Sequence, residues 1–386
     1  MWTLLHIVDW LLWIFIAPSI MYVTFYTIVS LFHRNSKPYS TTITHRPTFL
    51  ILFPAYHEDR VIIDSVKQCL KQTYPKELYD IAVISDHMEK TTNEQLQELP
   101  IILHTPHFEK SSKAKAMQYA IHSTQKEYDK VVILDADNVV APDFLEQLNI
   151  VCQQGYHAIQ CHRCAKNNNN DIAALDGVSE EINNTIFRKA HNTIGLSSAL
   201  IGSGMCFDYK WFSENVHHLS TAGEDRELEA LLMKQDIFIK YADHIHVYDE
   251  KVSNSDNFQR QRLRWMTAQV QSLLSMLPYI QQAVKTCNIN YIDKTFQQAM
   301  IPRSISIVLL FIMATLMLII HPFWSLKWWG LFAILIISLI VAMPPLLRTT
   351  SIFGKPILLF QLAFRMIRNV KHIEKNNKEF LHTDHG

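Results

Sequence analysis

The 386-residue chain carries 36 basic and 36 acidic side chains, so its overall charge offers no reason to expect nucleic acid as a partner, and we expect none. Its length suffices for one large domain or two small ones with a substantial core. Apolar residues are concentrated at the two ends of the chain. This distribution predicts membrane-associated segments on either side of a globular region.

The first apolar segment, residues 10–32, contains no charged side chain. It is long enough to cross the hydrocarbon core of a bilayer, which takes about 20 apolar residues. A cleaved signal peptide would have a basic start and a small-residue cleavage site, whereas His33 and Arg34 follow this segment. We therefore predict that residues 1–33 form a retained transmembrane helix.

Two further apolar segments, residues 304–321 and 328–346, lie near the other end of the chain. They predict two transmembrane helices within residues 304–347, and the tryptophans between them suit a membrane–water interface. Basic residues interrupt the apolar run of segment 348–386, which is typical of an interfacial amphipathic helix with a basic tail. The alternative is that all three apolar segments are buried core helices of a soluble protein.

Basic residues beside the apolar segments predict the orientation of the chain. Arg34 follows the first segment, Arg303 precedes the second and Arg348 follows the third. The loop between the last two segments has Lys327 as its only lysine or arginine. Basic loops stay in the cytoplasm, so we predict an integral protein of the bacterial inner membrane with residues 33–303 on the cytoplasmic side.

All six cysteines fall within this predicted cytoplasmic segment, where a reducing environment disfavours disulfides. Cys161 and Cys164 form the only CxxC pair, in the sequence CHRC. A zinc site built on that pair would need two further ligands at a matching spacing. The sequence has no second such pair, so we interpret the cysteines as small core residues.

Between residues 48 and 161, short β-rich runs alternate with amphipathic stretches. The predicted strands are residues 48–53, 80–85, 101–105, 130–135 and 157–161. The predicted helices are residues 59–71, 111–124 and 142–152. This alternation predicts an α/β fold with a mostly parallel sheet flanked by helices. Ligands of such sheets bind beyond the carboxyl ends of the strands, so polar side chains there are the first candidates for a site.

Carboxylates follow three of these strands: Glu58 after the first, Asp86 after the second, and Asp135 with Asp137 after the fourth, in LDADN. Residues i and i+2 of extended backbone point the same way, so Asp135 and Asp137 can face one Mg²⁺ or Mn²⁺. A DxD pair alone also occurs in many surface turns. The sequence has no glycine-rich phosphate loop, so a bound phosphate would need a metal ion and basic side chains to neutralise it.

Two further motifs lie downstream of the predicted sheet strands. In AGEDREL, Glu224 and Asp225 open a predicted helix, where a carboxylate can take a proton from an attacking hydroxyl or simply complement the helix dipole. In GSGMCF, Gly202, Ser203 and Gly204 predict a flexible loop that permits close approach of a ligand.

The sequence QRQRLRW, residues 259–265, would place Gln261, Arg264 and Trp265 on one face of a helix. An arginine suits a diphosphate, and an indole ring offers a flat surface to a sugar. The same cluster could instead meet anionic lipid headgroups at the membrane surface. We expect Arg260 and Arg262 to face those headgroups.

Taken in order, FPAYHED, SDH, KSSKAKAMQYA, LDADN, GSGMCF, AGEDREL and QRLRW resemble the motifs of membrane-integrated glycosyltransferase family 2 enzymes with a GT-A fold. That group includes cellulose, hyaluronan, chitin-oligosaccharide and poly-N-acetylglucosamine synthases and ceramide glucosyltransferases. The match covers roughly residues 45–270. It implies a cytoplasmic glycosyltransferase domain over residues 34–255 and interfacial helices with a QxxRW motif over residues 256–303.

The resemblance implies a role for each matching residue at the donor end of the site. Glu58 and Asp86 would bind the uridine and ribose of a UDP-sugar, and Lys113 would lie near the nucleotide. Asp135 and Asp137 would hold Mg²⁺ or Mn²⁺.

The resemblance also implies roles at the acceptor end. Asp225 would be the general base, with Glu224 beside it. Gln261 and Arg264 would hold the diphosphate, and Trp265 would lie under the acceptor.

The sequence departs from the family pattern in two ways. Gly223 stands where the TED-like motif has threonine, and three apolar segments are too few for the long cellulose-synthase architecture, which puts a channel through one chain in doubt. The resemblance implies an inverting enzyme that adds glucose or N-acetylglucosamine from a UDP-sugar to a growing polysaccharide.

Two alternatives remain open at the level of sequence. One is a single-addition enzyme acting on a lipid or lipid-linked acceptor. The other is a catalytically silent membrane scaffold that binds a nucleotide-sugar. Membrane lipids are expected contacts in every case, and an oligomer or partner subunits remain open.

Overall fold

A computed structural model describes residues 2–33, 45–167, 170–252 and 254–347 of the chain. The strands are β1 (Phe49–Tyr56), β2 (Tyr79–Asp86), β3 (Ile102–His104), β4 (Lys130–Ile133), β5 (Val139–Val140), β6 (Ala158–Ala165), β7 (Met205–Asp208) and β8 (Ile239–Asp249). The helices before β7 are α1 (Trp2–Ser30), α2 (Ile62–Cys69), α3 (Lys90–Gln97), α4 (Lys113–Ser123), α5 (Phe144–Cys152), α6 (Asp171–Asn183) and α7 (His191–Thr193), with a π-helical segment (Asn184–Ala190) joining the last two. The remaining helices are α8 (Tyr209–Asn215), α9 (Glu224–Lys234), α10 (Ser255–Met276), α11 (Ile280–Lys285), α12 (Ile289–Ala299), α13 (Arg303–Ile320) and α14 (Pro322–Ala342). The interfacial helix predicted within residues 348–386 lies outside the described residues.

The described strands form one sheet in the order β3-β2-β1-β4-β7-β6-β8-β5. Within it β1 to β4 run parallel to one another, β6 runs parallel to β8, and β7 is antiparallel to both of its neighbours. The predicted α/β fold with a mostly parallel sheet is therefore confirmed. The sequence predicted β1, β2, β3, β4 and β6 but not β5, β7 or β8, and β7 takes up the end of the predicted GSGMCF loop.

Both faces of the sheet are covered, which explains why β1 is apolar along its length rather than alternating. Phe49, Ile51 and Phe53 point to the face covered by α2 and α5. Leu50 and Leu52 point to the opposite face, which is covered by α4 and α9. The loops at the carboxyl ends of the parallel strands therefore rest on a rigid, fully buried platform.

Three helices in the described part of the chain, α1, α13 and α14, are long and apolar enough to cross a membrane. This is compatible with an integral membrane protein. Helix α1 begins before the uncharged run that starts at residue 10 and so includes Asp9, whose charge is balanced by partners inside the bundle. The Trp328 indole N–H donates to Asp9 over 2.7 Å, and Lys327 forms an ion pair with it.

Helix α12 connects the membrane helices to the sheet domain. On one side, the Tyr22 and Tyr26 hydroxyls of α1 donate to the Asp293 carboxylate of α12 over 3.0 and 2.7 Å. On the other side, Lys294 of α12 forms a buried ion pair with Glu229 of α9. Helix α9 is thus held between the sheet and the membrane-side helices.

Candidate active site

The carboxyl ends of β1, β2 and β4 open into a cavity of about 700 Å³ that extends to the membrane helices. The predicted site residues that line it are Glu58, Asp86, Lys113, Asp135, Asp137, Gly202, Glu224, Asp225, Gln261, Arg264 and Trp265. Two other predicted residues, Ser203 and Gly204, lie behind the cavity wall. Ser203 is fully buried and donates to Asn138, and a Cβ on Gly204 would come within 3.0 Å of Val247, so both have packing roles.

Glu58 and Asp86 lie at the ends of neighbouring strands, because β1 and β2 pair in register at Tyr56 and Asp86. The next residues, His57 and His87, both have a φ of 55°, a left-handed conformation that is uncommon outside glycine. These two turns bend both loops at the same level of the sheet. Asp86 is buried, with one carboxylate oxygen 2.6 Å from the His87 ring. Both histidines lie within the motifs FPAYHED and SDH, but their left-handed backbone conformation cannot be recognised from those letters.

Asp135 and Asp137 occupy the loop that follows β4. Asp135 forms an ion pair with Lys113, while Asp137 accepts hydrogen bonds from the Asn138 amide over 3.0 Å and the Glu250 backbone N–H over 2.7 Å. Asn138 in turn accepts from the Asp135 backbone N–H over 2.9 Å, which holds the loop in place. Clustered carboxylate oxygens are the donors that Mg²⁺ and Mn²⁺ prefer, so these residues fit a divalent cation.

Lys113 begins α4 and points into the cavity. Its ammonium group donates to the Gly202 carbonyl over 2.7 Å and lies 3.7 Å from Glu224. Burial lowers the pKa of Lys113, but the carboxylates of Asp135 and Glu224 outweigh this effect and raise the pKa overall. Gly202 has a φ of +81°, and a Cβ there would lie 3.6 Å from the Glu224 carboxyl, so the space beside Lys113 depends on this glycine.

Glu224 and Asp225 open α9 with different environments. Glu224 is only 8% exposed, and burial raises its pKa to about 7, with Lys113 opposing the shift and Asp225 adding to it. Asp225 is partly exposed to the cavity. The preceding Gly223 packs against α10, where an added Cβ would lie 2.8 Å from the Cβ of Ala268. This contact leaves no room for the threonine of the family motif.

Helix α10 presents Gln261, Arg264 and Trp265 to the cavity, as their shared face predicted. Burial lowers the pKa of Arg264, and the nearby carboxylates of Glu224 and Asp135 oppose that effect. The guanidinium group is therefore desolvated and lies near these carboxylates.

The expectation that Arg262 faces lipid headgroups is wrong. Its guanidinium group forms an ion pair with the buried Asp176 of α6 and lies 4.3 Å from the centre of the Trp265 ring. Arg262 also lines the cavity, whereas Arg260 is exposed. The local sequence could not distinguish the two arginines because the partner of Arg262 is 86 positions away.

The membrane-side end of the cavity contains a charged cluster that the sequence analysis missed. Glu180 accepts from Arg163 over 3.1 Å and from Arg188 over 3.2 Å. Burial raises the pKa of Glu180, but these two guanidinium groups outweigh it and hold the pKa at about 2. Arg303 donates to Asn183 over 2.7 Å in the same wall. No sequence motif marks these residues.

Beyond this cluster the cavity is apolar. Its wall is formed by side chains of α6, the π-helical segment, α13 and α14, namely Leu175, Val178, Ile182, Phe187, Ile307, Ile336, Leu339, Ile340 and Met343. One continuous space therefore joins the polar strand ends to the interior of the membrane bundle.

Several solved structures are similar to this chain over much of its length. A Pyrobaculum calidifontis mannosyltransferase in complex with GDP-mannose and Mn²⁺ is 14% identical, with 93% of this chain and 96% of that chain covered and a TM-score of 0.57. S. aureus TarS 1-349 in complex with UDP-GlcNAc is 12% identical, covers 85% and 90%, and has a TM-score of 0.44. Glucosyl-3-phosphoglycerate synthase from Mycobacterium tuberculosis, in complex with Mn²⁺, UDP and phosphoglyceric acid, is 14% identical, covers 63% and 84%, and has a TM-score of 0.43.

Residues 46–268 match the family model described as Glycosyltransferase like family 2. The match spans more than half of the chain, and the chain therefore belongs to this family. A search of curated proteins finds no match.

Proposed function

We propose that the protein is an inverting membrane glycosyltransferase that moves a sugar, glucose or N-acetylglucosamine, from a UDP-sugar to an acceptor hydroxyl. The observation that carries the proposal is one cavity that contains Lys113, the Asp135–Asp137 pair and Asp225 and extends to the membrane helices. Family membership supports the transferase activity, and the mannosyltransferase complex with GDP-mannose and Mn²⁺ supports a nucleotide-sugar donor.

The donor would lie across the strand ends. Glu58 and Asp86 would bind the uridine and ribose, and Lys113 and Arg264 would contact the diphosphate from opposite sides. Asp135 and Asp137 would hold Mg²⁺ or Mn²⁺, which supplies positive charge to offset the diphosphate when it is bound. Lys113 forms an ion pair with Asp135, which holds a cation and a carboxylate beside the proposed position of the donor.

Asp225 is the proposed general base. Its carboxylate takes the proton of the acceptor hydroxyl, the hydroxyl oxygen forms a bond to the anomeric carbon, and the bond from that carbon to the diphosphate breaks, so UDP leaves with the electron pair. Attack from the face opposite UDP inverts the configuration. Asp225 suits this role better than Glu224 because it is partly exposed in the cavity, whereas Glu224 is buried and lies 3.7 Å from the Lys113 ammonium group.

A lipid-linked acceptor is the acceptor that the cavity favours. The side chains named beyond Arg188 and Arg303 are aliphatic apart from Phe187, which suits a hydrocarbon chain, whereas a polysaccharide path would need polar and aromatic side chains along its length. A growing polysaccharide, the acceptor implied by the sequence resemblance, is the second candidate. The support for it is Trp265, which lines the same cavity as the proposed base Asp225.

We further propose that the sheet domain, residues 34–255, faces the cytoplasm of a bacterium and that residues 256–303 lie at the membrane surface. Nucleotide-sugars are made in the cytoplasm, and this orientation agrees with the positive-inside pattern of the chain.

The test compares wild-type protein with Asp225→Asn and with Asp143→Asn, which removes an exposed carboxylate outside the cavity. Purified protein is supplied with UDP-sugars, Mg²⁺ or Mn²⁺ and membrane extracts as acceptor source, and UDP release and nucleotide binding are measured. We expect Asp225→Asn to lower transfer by about 10²–10⁴-fold while nucleotide binding is retained, because only the proton acceptor is lost. Near-wild-type transfer by Asp225→Asn would refute the base assignment, and no UDP release from wild type with any donor would favour the silent scaffold.

Labelled product separates the two acceptors. A product of one added sugar that partitions into organic solvent supports the lipid-linked acceptor. A long water-soluble chain supports the polysaccharide instead.

A further inference from the structure

Three side chains of metal-ligand type meet on the sheet outside the proposed active site. His162 and Cys164 are two residues apart on β6 and therefore project from the same face of the strand. His246 of β8 is the register partner of His162 across the parallel pair. The ligand atoms of these three residues lie within 4.8 Å of one another.

A fourth ligand of the right type approaches from α6. The Glu181 carboxylate lies 3.0 Å from Nε2 of His162, and the Tyr241 hydroxyl lies 2.7 Å from Nδ1 of the same ring. A metal-ligating histidine commonly has its second ring nitrogen held by a hydrogen bond of this kind, which fixes the orientation of the ring.

We propose that His162, Cys164, His246 and Glu181 form a structural zinc site that clamps α6 to β6 and β8. Two imidazoles, a thiolate and a carboxylate are a ligand set that Zn²⁺ accepts in tetrahedral geometry, and the softness of the thiolate disfavours Mg²⁺. Bonds to zinc of about 2.0–2.3 Å place ligand atoms about 3.3–3.6 Å apart, so zinc would draw together the ligand atoms of His162, Cys164 and His246. The Glu181 carboxylate, which lies outside that group of three but contacts His162, would turn to take the fourth position.

The charges of the cluster suit a divalent metal. A thiolate at Cys164 and the carboxylate of Glu181 would together balance the charge of Zn²⁺, and binding would release the proton of the Cys164 thiol.

The clamp would act on the membrane-side end of the cavity. Glu181 and Glu180 are neighbours on α6, and Glu180 pairs with Arg163, which lies between His162 and Cys164 on β6. Zinc would therefore hold the same two elements that present the Arg163–Glu180 pair to the cavity. This site is independent of the proposed transferase activity, and its test needs no substrate.

The experiment measures bound metal in the full-length protein, purified without a polyhistidine tag. We expect about one zinc ion per chain in wild type, and loss of it in Cys164→Ser and in His246→Ala. The His246 variant guards against misfolding because the side chain is exposed. Matched controls are Cys287→Ser, an exposed cysteine, and His244→Ala, an exposed histidine two residues earlier on β8; both should keep the zinc.

Cobalt substitution identifies the ligands. Co²⁺ bound to the wild-type protein should show a thiolate-to-metal charge-transfer band and tetrahedral d–d bands. Cys164→Ser should lose the charge-transfer band. Zinc should raise the Tm of apo wild type but not that of His246→Ala. Two results would overturn the site: wild-type protein that holds no zinc after titration, or Cys164→Ser protein that binds zinc as tightly as wild type does. Either result would leave only the hydrogen-bonded cluster of His162, Tyr241 and Glu181.

Discussion

Replacing Glu224 by glutamine should remove a pH dependence that this buried carboxyl group imposes on the stability of the protein. Burial raises the pKa of Glu224 from 4.5 to about 7. The folded protein therefore binds a proton here more tightly than the unfolded chain does. The stabilisation of the folded state by this bound proton is fully present below pH 4.5 and is lost as the pH rises to 7. At about 1.4 kcal/mol per pH unit, the interval corresponds to a loss of about 3 kcal/mol.

The assay is thermal unfolding in detergent, followed by tryptophan fluorescence from pH 5 to pH 8. Glu224→Gln stays neutral throughout, so the Tm of the variant relative to wild type should rise with pH. For a domain of this size, about 3 kcal/mol corresponds to a relative change in Tm on the order of 5–10 °C across the full interval.

Glu214→Gln is the matched control because it removes an exposed carboxylate outside the cavity, and its curve should run parallel to that of wild type. If the curves of Glu224→Gln and wild type are also parallel, the carboxyl group is ionised in the folded protein. The difference in environment between Glu224 and Asp225, which supports Asp225 as the general base, would then be lost.

Three further predictions concern the surroundings of the site. Gly223→Ala should lower the Tm and the transfer rate, because its Cβ would lie 2.8 Å from that of Ala268 and overpacking of this kind costs about 1–3 kcal/mol. Ala268→Gly in the same chain should restore transfer, and a double variant no better than Gly223→Ala would contradict the steric cause. Lys294→Met should lower the unfolding free energy by about 3–5 kcal/mol at pH 8, since it leaves Glu229 buried without its ion-pair partner. If Lys294→Met lowers the unfolding free energy equally in a Glu229→Gln background, this explanation is wrong. A chelator should abolish UDP release and added Mn²⁺ or Mg²⁺ should restore it, whereas full transfer in excess chelator would exclude a divalent cation at Asp135 and Asp137.

The sequence alone determined the features that depend on local pattern. The alternation of apolar runs and amphipathic stretches predicts the parallel strands, because each strand and helix is recognised from its own few residues. The positions of Glu58, Asp86 and Asp137 follow from the same pattern, since the carboxyl ends of parallel strands meet at one edge of the sheet. The face shared by Gln261, Arg264 and Trp265 follows from helical geometry. The three long apolar helices follow from length and hydropathy.

Tertiary structure decided what depends on partners far away in the chain. Arg262 turns to Asp176 rather than to lipid, Gly223 stands where Ala268 leaves no room, and His246 reaches His162 through the pairing of β6 with β8. The charge of Asp9 is tolerated in α1 for the same reason, because its partners lie more than 300 residues away. Whether a polar side chain is exposed, paired or aimed into a cavity depends on which elements pack against it. The topology of the whole chain fixes that packing, and no short stretch of sequence records it.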